Sequence, residues 1–194
     1  MNEFEKFLGK RKQSIAIHFD DAKGIMERGF SYFVGEDYRW LFEYTKVVEW
    51  LEDNNGKGLM LFGSNGRGKS VICKYIIPTA LAYYMPSLKV YSTRAVDLRY
   101  LQPDNNEYYT MKMADVICVD DFGVESVSNL FGEKRDIFSD IVDIAEHERK
   151  LLICSTNLVP EEITKRYGLR TIDRLKALTA PICFSGESMR GIKN

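Results

Sequence analysis

Residues 63–70 read Gly-Ser-Asn-Gly-Arg-Gly-Lys-Ser, and this octapeptide restricts the fold more than any other feature of the chain. It satisfies the pattern G-x-x-x-x-G-K-[ST] in full. Its glycines let successive backbone N–H groups curl around an anion without Cβ clashes. An apolar run, Gly58–Phe62, precedes it and a helical stretch follows from Lys69. The loop thus sits where a strand hands over to a helix whose positive end faces the anion. In such a loop Lys69 reaches the β- and γ-phosphates of a nucleotide, and the Ser70 hydroxyl ligates Mg²⁺. Gly63, Ser64, Asn65, Gly66, Arg67, Gly68, Lys69 and Ser70 are therefore the expected nucleotide-binding residues, with ATP and Mg²⁺ as the expected ligands.

The rest of the chain repeats the alternation of apolar run and helix. Short runs rich in Val, Ile, Leu and Cys occur at 58–62, 88–92, 116–119, 151–155 and 181–184, too short for helices and mostly apolar on both faces. Helical stretches are expected at 37–52, 69–84, 94–101 and 133–149, and as a pair at 161–167 and 171–178. Asn54-Asn55-Gly56 tolerates positive φ and stops the first of them. In 133–149, Ile137, Ile141, Ile144 and Ala145 form one apolar stripe. Alternation of this kind implies right-handed crossovers and a five-stranded parallel sheet between two layers of helices, a three-layer α/β domain. Residues 1–35 have a mixed pattern and are expected to be a short separate segment before an ATPase domain spanning 36–194.

Composition excludes several classes. At 194 residues and 45% hydrophobic, the chain can bury a core as one domain. Its 27 Lys and Arg nearly balance 28 Asp and Glu, which argues against a uniformly basic nucleic-acid coat. The longest nearly apolar stretch, Tyr75 to Met85, is too short for a bilayer span, and the first residues lack a signal-peptide core. Cys73, Cys118, Cys154 and Cys183 lie far apart in apolar company, as four reduced core thiols of a cytoplasmic protein would.

Three further segments carry chemistry. Val116–Val119 ends in Asp120-Asp121. A carboxylate at the end of a buried strand can stand beside a nucleotide-bound Mg²⁺, which suits Asp120. Asp121 occupies the place where a water-polarising carboxylate is often glutamate, with Glu125 as a second candidate. The run 151–155 ends in Ser155-Thr156-Asn157, where Asn157 can hold the attacking water or the γ-phosphate. In Gly168-Leu169-Arg170-Thr171-Ile172-Asp173-Arg174-Leu175, two arginines share a helical face. Each has a plainer reading: a strand meeting a loop, a turn before Pro160, and a solvated basic face.

The order of these segments, closed by Gly186-Glu187-Ser188-Met189-Arg190, resembles the AAA+ ATPases of the DnaC/DnaI-type replicative helicase loaders and their relatives, the IstB-type transposition helpers. The resemblance covers residues 35–191. It implies a P-loop NTPase fold of the AAA+ type without the C-terminal helical lid, and an Mg²⁺-dependent ATPase. It implies Lys69 and Ser70 at phosphate and Mg²⁺, and Asp120 at the metal. Asp121 would then be the water-activating carboxylate and Asn157 the sensor-1 residue. Arg174 would be the arginine finger entering a neighbouring subunit's site, and Arg190 a sensor-2-like arginine.

The partners implied are a replicative helicase, single-stranded DNA and further copies of the chain. The short N-terminal segment weakens the helicase assignment, although Phe4, Phe7 and Leu8 could form a docking helix over residues 3–12. Arg94, Arg99 and Lys112 interleaved with Tyr100, Tyr108 and Tyr109 suit stacking and phosphate contacts to a single strand. The same tyrosines could equally be packing residues. The rival readings are an IstB-like transposition helper, a small-molecule kinase and a nucleotide-gated adaptor with negligible hydrolysis.

Overall fold

In the centre of the molecule the strands carry apolar side chains on both faces, and the structure shows two separate cores, one on each side of the sheet. The structure is a computed structural model that describes residues 14–36, 38–102, 105–125, 128–130 and 133–190, without the side chains of 128–130 and 133–135. Strands β1 (Gly58–Gly63), β2 (Val90–Arg94), β3 (Val116–Asp120), β6 (Leu151–Ser155) and β7 (Thr179–Phe184) form a parallel sheet in the order β2-β3-β6-β1-β7. Strands β4 (Ser128–Leu130) and β5 (Glu133–Arg135) pair antiparallel in a separate ribbon.

Alternate residues of each strand feed opposite layers. Leu59, Leu61, Cys118 and Ile153 pack with helices α1 (Ala22–Phe33), α2 (Phe42–Glu52) and α3 (Lys69–Tyr84). Met60, Ile117, Val119 and Cys154 pack with α4 (Asn106–Met113), α5 (Ile137–Glu148) and α6 (Pro160–Leu178). Strand β6, which leads into Asn157, therefore lies between the strand that feeds the glycine loop and the one that ends in Asp120.

Helix α3 has three parts: α-helical Lys69–Val71, π-helical Ile72–Ile76 and α-helical Ile77–Tyr84. Pro78 supplies a reason. It has no N–H for the Lys74 carbonyl and its ring crowds that carbonyl, so the preceding turn widens. Ser92 Oγ donates to the freed Lys74 carbonyl at 3.5 Å.

Several expectations need correction. Residues 95–100 form a 3₁₀ turn rather than an α-helix. The stretch 133–149 divides into β5 and α5, with Asp136 accepting the Ser139 N–H at 3.3 Å as the helix cap. The helix expected from 37 starts at Phe42. Strand β2 lies two residues later than the apolar run suggests. Cys183 is exposed, whereas the other three cysteines are buried. It lies on β7, an edge strand, where alternate side chains meet solvent; the same edge position accommodates Pro181. The expected pair of helices at 161–178 is present: α6 is two helical stretches meeting at Gly168 (φ +81°, ψ 168°), a non-helical conformation closed to other residues.

The described part of the N-terminal segment, residues 14–35, packs with the domain that follows. Ile17, Phe19, Ile25, Met26 and Phe30 are buried in the same core as α2 and α3. Residues 3–12, the expected docking helix, lie outside the described residues.

Met26 is fully buried on α1. Met26→Ala should lower unfolding free energy by about 2–5 kcal/mol in urea denaturation. A loss well below ~1 kcal/mol would mean that α1 is detachable from the domain.

Candidate nucleotide site

The glycine loop is built by close backbone approach. A Cβ at Gly63 (φ +108°) would collide with the Phe184 carbonyl oxygen, and one at Gly66 (φ +70°) with Ser188 Oγ. The Ser64 N–H donates to the Phe184 carbonyl at 2.7 Å, and the Met189 N–H to the Gly66 carbonyl at 3.0 Å. The loop is thus gripped by the end of β7 and by residues 185–190.

A buried ion pair holds its other side. Arg67 donates through Nε and Nη2 to Glu43 Oε1 at 3.1 and 2.8 Å, and both side chains are largely buried. The same oxygen accepts the Ser185 N–H at 3.1 Å, and Arg67 Nη1 donates to the Glu187 carbonyl at 3.0 Å. The Tyr44 hydroxyl donates to the Arg67 carbonyl at 3.2 Å. Burial alone would raise the Glu43 carboxyl. The N–H groups of Glu43 itself and Ser185, with the Arg67 guanidinium, outweigh it and hold the group below its ordinary value.

Lys69 is buried and donates to the Gly63 and Ser64 carbonyls at 2.9 and 2.7 Å. Burial pushes its ammonium below the ordinary lysine range, against the pull of the Asp121 carboxylate. Across the cavity, Ser155 organises the paired aspartates. Its hydroxyl donates to Asp120 Oδ1 at 2.6 Å and accepts the Asp121 N–H at 2.9 Å. This supports Asp121 at φ +60°, a left-handed conformation that costs a non-glycine residue about 1 kcal/mol or more. Asn157 Nδ2 donates to Asp121 Oδ1 at 2.8 Å. Burial, then repulsion by Asp120, raises the Asp121 carboxyl above its usual range.

One cavity of about 470 Å³ is lined by residues 65–71 with Asp121, Asn157 and Arg190, whereas Asp120 is buried and does not line it. Phe30, Val34, Tyr38, Tyr44 and Met189 line the same cavity, with Arg39, and give it aromatic and apolar walls of a kind that suits a planar base. Phe30 stacks on Tyr38 and Tyr44 at 5.3 and 4.3 Å between ring centroids. Sequence reasoning missed these walls of the site. The aromatic residues around 30–44 were the available signal, but their periodicity resembles that of any core-facing helix.

Two expected participants stand apart. Arg174 lies outside the cavity, on α6. Its Nη1 makes a short ion pair with Asp143 of α5, and its Nε contacts Glu146 at 2.7 Å. Arg170 shares Asp143 at 3.1 Å. Glu125, the second candidate base, does not line the cavity; it is buried against Arg166 and Tyr167. In the expected DNA-contact segment, Arg94 is occupied by Asp97 at 2.8 Å and Arg99 lies over the ring of Tyr100, while Tyr109 is exposed.

Among the described residues, no cluster of three or more His, Cys, Asp or Glu side chains forms a metal site. The oxygen donors present are the Ser70 hydroxyl and the Asp120 carboxylate. They fit a hard cation such as Mg²⁺ that completes its shell with phosphate oxygens and water.

The fold, with its five-stranded parallel sheet, matches that of solved DnaC-like P-loop NTPases. A structure of the DnaC helicase loader matches with a TM-score of 0.63 at 18% identity, over 82% of this chain and 99% of that one. A structure of DnaI matches at 0.54 and 19%, over 78% and 90%. AMPPCP-bound DnaA from Aquifex aeolicus matches at 0.52 and 21%, over 76% of this chain and 49% of that one. The profile of the nephrocystin 3 N-terminal family matches residues 36–99, from before α2 through the 3₁₀ turn. No protein of curated function matches the sequence. No described helix is long and apolar enough to cross a membrane.

The Glu43–Arg67 pair offers a direct test of how the loop is braced. The folded-state pKa of Glu43 lies below its unfolded value, so its stabilisation is complete above the unfolded pKa and is lost as pH falls through the folded one. Glu43→Gln should destabilise by about 1–3 kcal/mol at pH 7. The gap from wild type should close below about pH 4 in denaturation series. A gap that stays constant across that range would contradict the charge-based brace.

Proposed function

We propose that this chain is an ATP-binding and ATP-hydrolysing AAA+ protein, a DnaC-like replication accessory of the cytoplasm. In this reading it assembles, in its ATP state, on a replicative helicase or on single-stranded DNA. The observation that carries the reading is the convergence of the 63–70 loop, Asp121, Asn157 and Arg190 on one cavity, while Arg174 faces away from it. A site with its phosphate cradle in one chain and its arginine on that chain's outer face is complete only when two copies meet.

In this reading the roles divide as follows. The backbone of 63–68 and Lys69 hold the phosphates, and Lys69 exchanges its two loop carbonyls for phosphate oxygens. The base lies against Val34, Tyr38 and Met189. Ser70 and Asp120 would hold Mg²⁺, which when bound neutralises charge on the phosphates. Asp121, kept in orientation by Asn157 and Ser155, orients water and accepts its proton. Arg190 lines the cavity beside Asn65–Val71, where its charge favours the anion. Arg174 leaves Asp143 and Glu146 to enter the neighbouring copy's site, where a guanidinium on the γ-phosphoryl oxygens is worth ~10³-fold or more in rate.

The structure of the DnaC helicase loader aligns along nearly its full length, which favours the loader reading over a kinase.

Mixing two variants tests both the chemistry and the assembly. Arg174→Ala and Asp121→Asn proteins should each bind ATP yet hydrolyse it poorly. Mixed, they should recover part of the wild-type rate, because some interfaces join an intact Asp121 to an intact Arg174. No recovery, with mixed assembly demonstrated by crosslinking, would return Arg174 to a surface ion pair.

A further inference from the structure

Glu125 is buried, yet it is not spent on the nucleotide cavity. Its Oε2 accepts the Gly123 N–H at 2.7 Å, and its Oε1 accepts a short hydrogen bond from the Tyr167 hydroxyl. Arg166 donates a short hydrogen bond to the Glu125 carbonyl and lies 3.7 Å from its carboxylate. One side chain therefore touches two elements with different tasks. Gly123 belongs to the turn that carries Asp121. Arg166 and Tyr167 are the last residues before the break at Gly168, beyond which α6 carries Arg170 and Arg174.

The surrounding contacts make this junction stiff. Phe122 stacks on Phe138 of α5 at 4.2 Å and meets Tyr167 edge-on at 5.9 Å. The Phe122 N–H donates to the Ser155 carbonyl at 2.8 Å, and Thr156 Oγ1 donates to the Phe122 carbonyl at 2.5 Å. The turn after β3 is thus pinned to β6 on one side and, through Glu125, to the start of the arginine arm on the other. A carboxylate suits the junction because it offers acceptors to two donors that arrive from different elements.

We infer that Glu125 is a positioning residue: it fixes the orientation of Asp121 through Gly123 and ties that turn, through Tyr167, to the arm that carries Arg174. The same geometry removes it as a base, since both carboxylate oxygens are engaged away from the cavity. This inference rests on the reading of Asp121 as the water-orienting carboxylate.

Glutamine separates the two roles. The Glu125→Gln carbonyl can accept the Gly123 N–H while its amide donates to the Tyr167 oxygen, so positioning survives and basicity does not. Glu125→Ala should bind a fluorescent ATP analogue with wild-type affinity and turn over ~10–100-fold more slowly, the usual cost of losing a support of this kind. Glu125→Gln should keep turnover within a few-fold of wild type, and Tyr167→Phe should fall between the two. If Gln fails as badly as Ala, Glu125 is a base and the inference is overturned. Wild-type turnover in Glu125→Ala overturns it as well.

Amide hydrogen exchange supplies a readout independent of hydrolysis. Glu125→Ala should speed exchange in both 120–125 and 166–174 while leaving β1 and β6 protected, and Glu125→Gln should not. Faster exchange in 120–125 alone would contradict the tie to the arm. Wild-type hydrolysis by Asp121→Asn would refute the role of Asp121 instead, and the exchange result would still decide whether Glu125 links the two segments.

Discussion

Close approach of backbone to backbone at the glycine loop is the constraint from which the rest of the site follows. Gly63 and Gly66 admit no side chain because the Phe184 carbonyl and Ser188 stand where Cβ atoms would be. With that space closed, residues 185–190 must lie across the loop, and Arg190 is delivered to the cavity beside Asn65–Val71. The buried Arg67–Glu43 pair then fastens α2 to both, so that three distant segments of the chain share one small volume. The wide turn of α3 after Lys69 is an irregularity of the helix behind the loop, and Pro78 accounts for it without disturbing the helix start at the glycine loop.

Charge is arranged differently at the two ends of the mechanism. Inside the cavity, Lys69, Asp121 and Arg190 have only partial compensation, and the carboxyl of Asp121 and the ammonium of Lys69 both shift toward their neutral forms. On the outer face, Arg170 and Arg174 are balanced by Asp143 and Glu146. Such a cluster is stable alone and exchangeable: a neighbouring copy that presents a more negative group can compete for Arg174. In the proposed assembly this competition would link docking to turnover.

The sequence carries much of this in legible form. The octapeptide 63–70, the strands ending at Asp120 and Ser155, and the alternation of strand and helix are local patterns, each set by a few contiguous residues. Less was legible where tertiary context decides. The aromatic and apolar wall of the cavity draws on Phe30, Val34 and Tyr38, whose spacing is that of an ordinary amphipathic helix and its following loop. The strand β7 exposes Cys183 because it is an edge, which depends on strand order rather than on its own residues. The partners of Arg174 and Glu125 lie 31 and 42 residues away in the chain, so neither the outer cluster nor the buried link could be read from spacing.

The central claim is that the 63–70 loop holds the phosphates of ATP, with Lys69 as its mobile cation. Equilibrium titration of a fluorescent ATP analogue, with Mg²⁺, against wild type and Lys69→Ala tests it most directly. The account requires saturable binding by wild type. It also requires a loss of roughly tenfold or more in the variant, the share expected of a charge-assisted contact to phosphate. Equal affinities in the two proteins would contradict it.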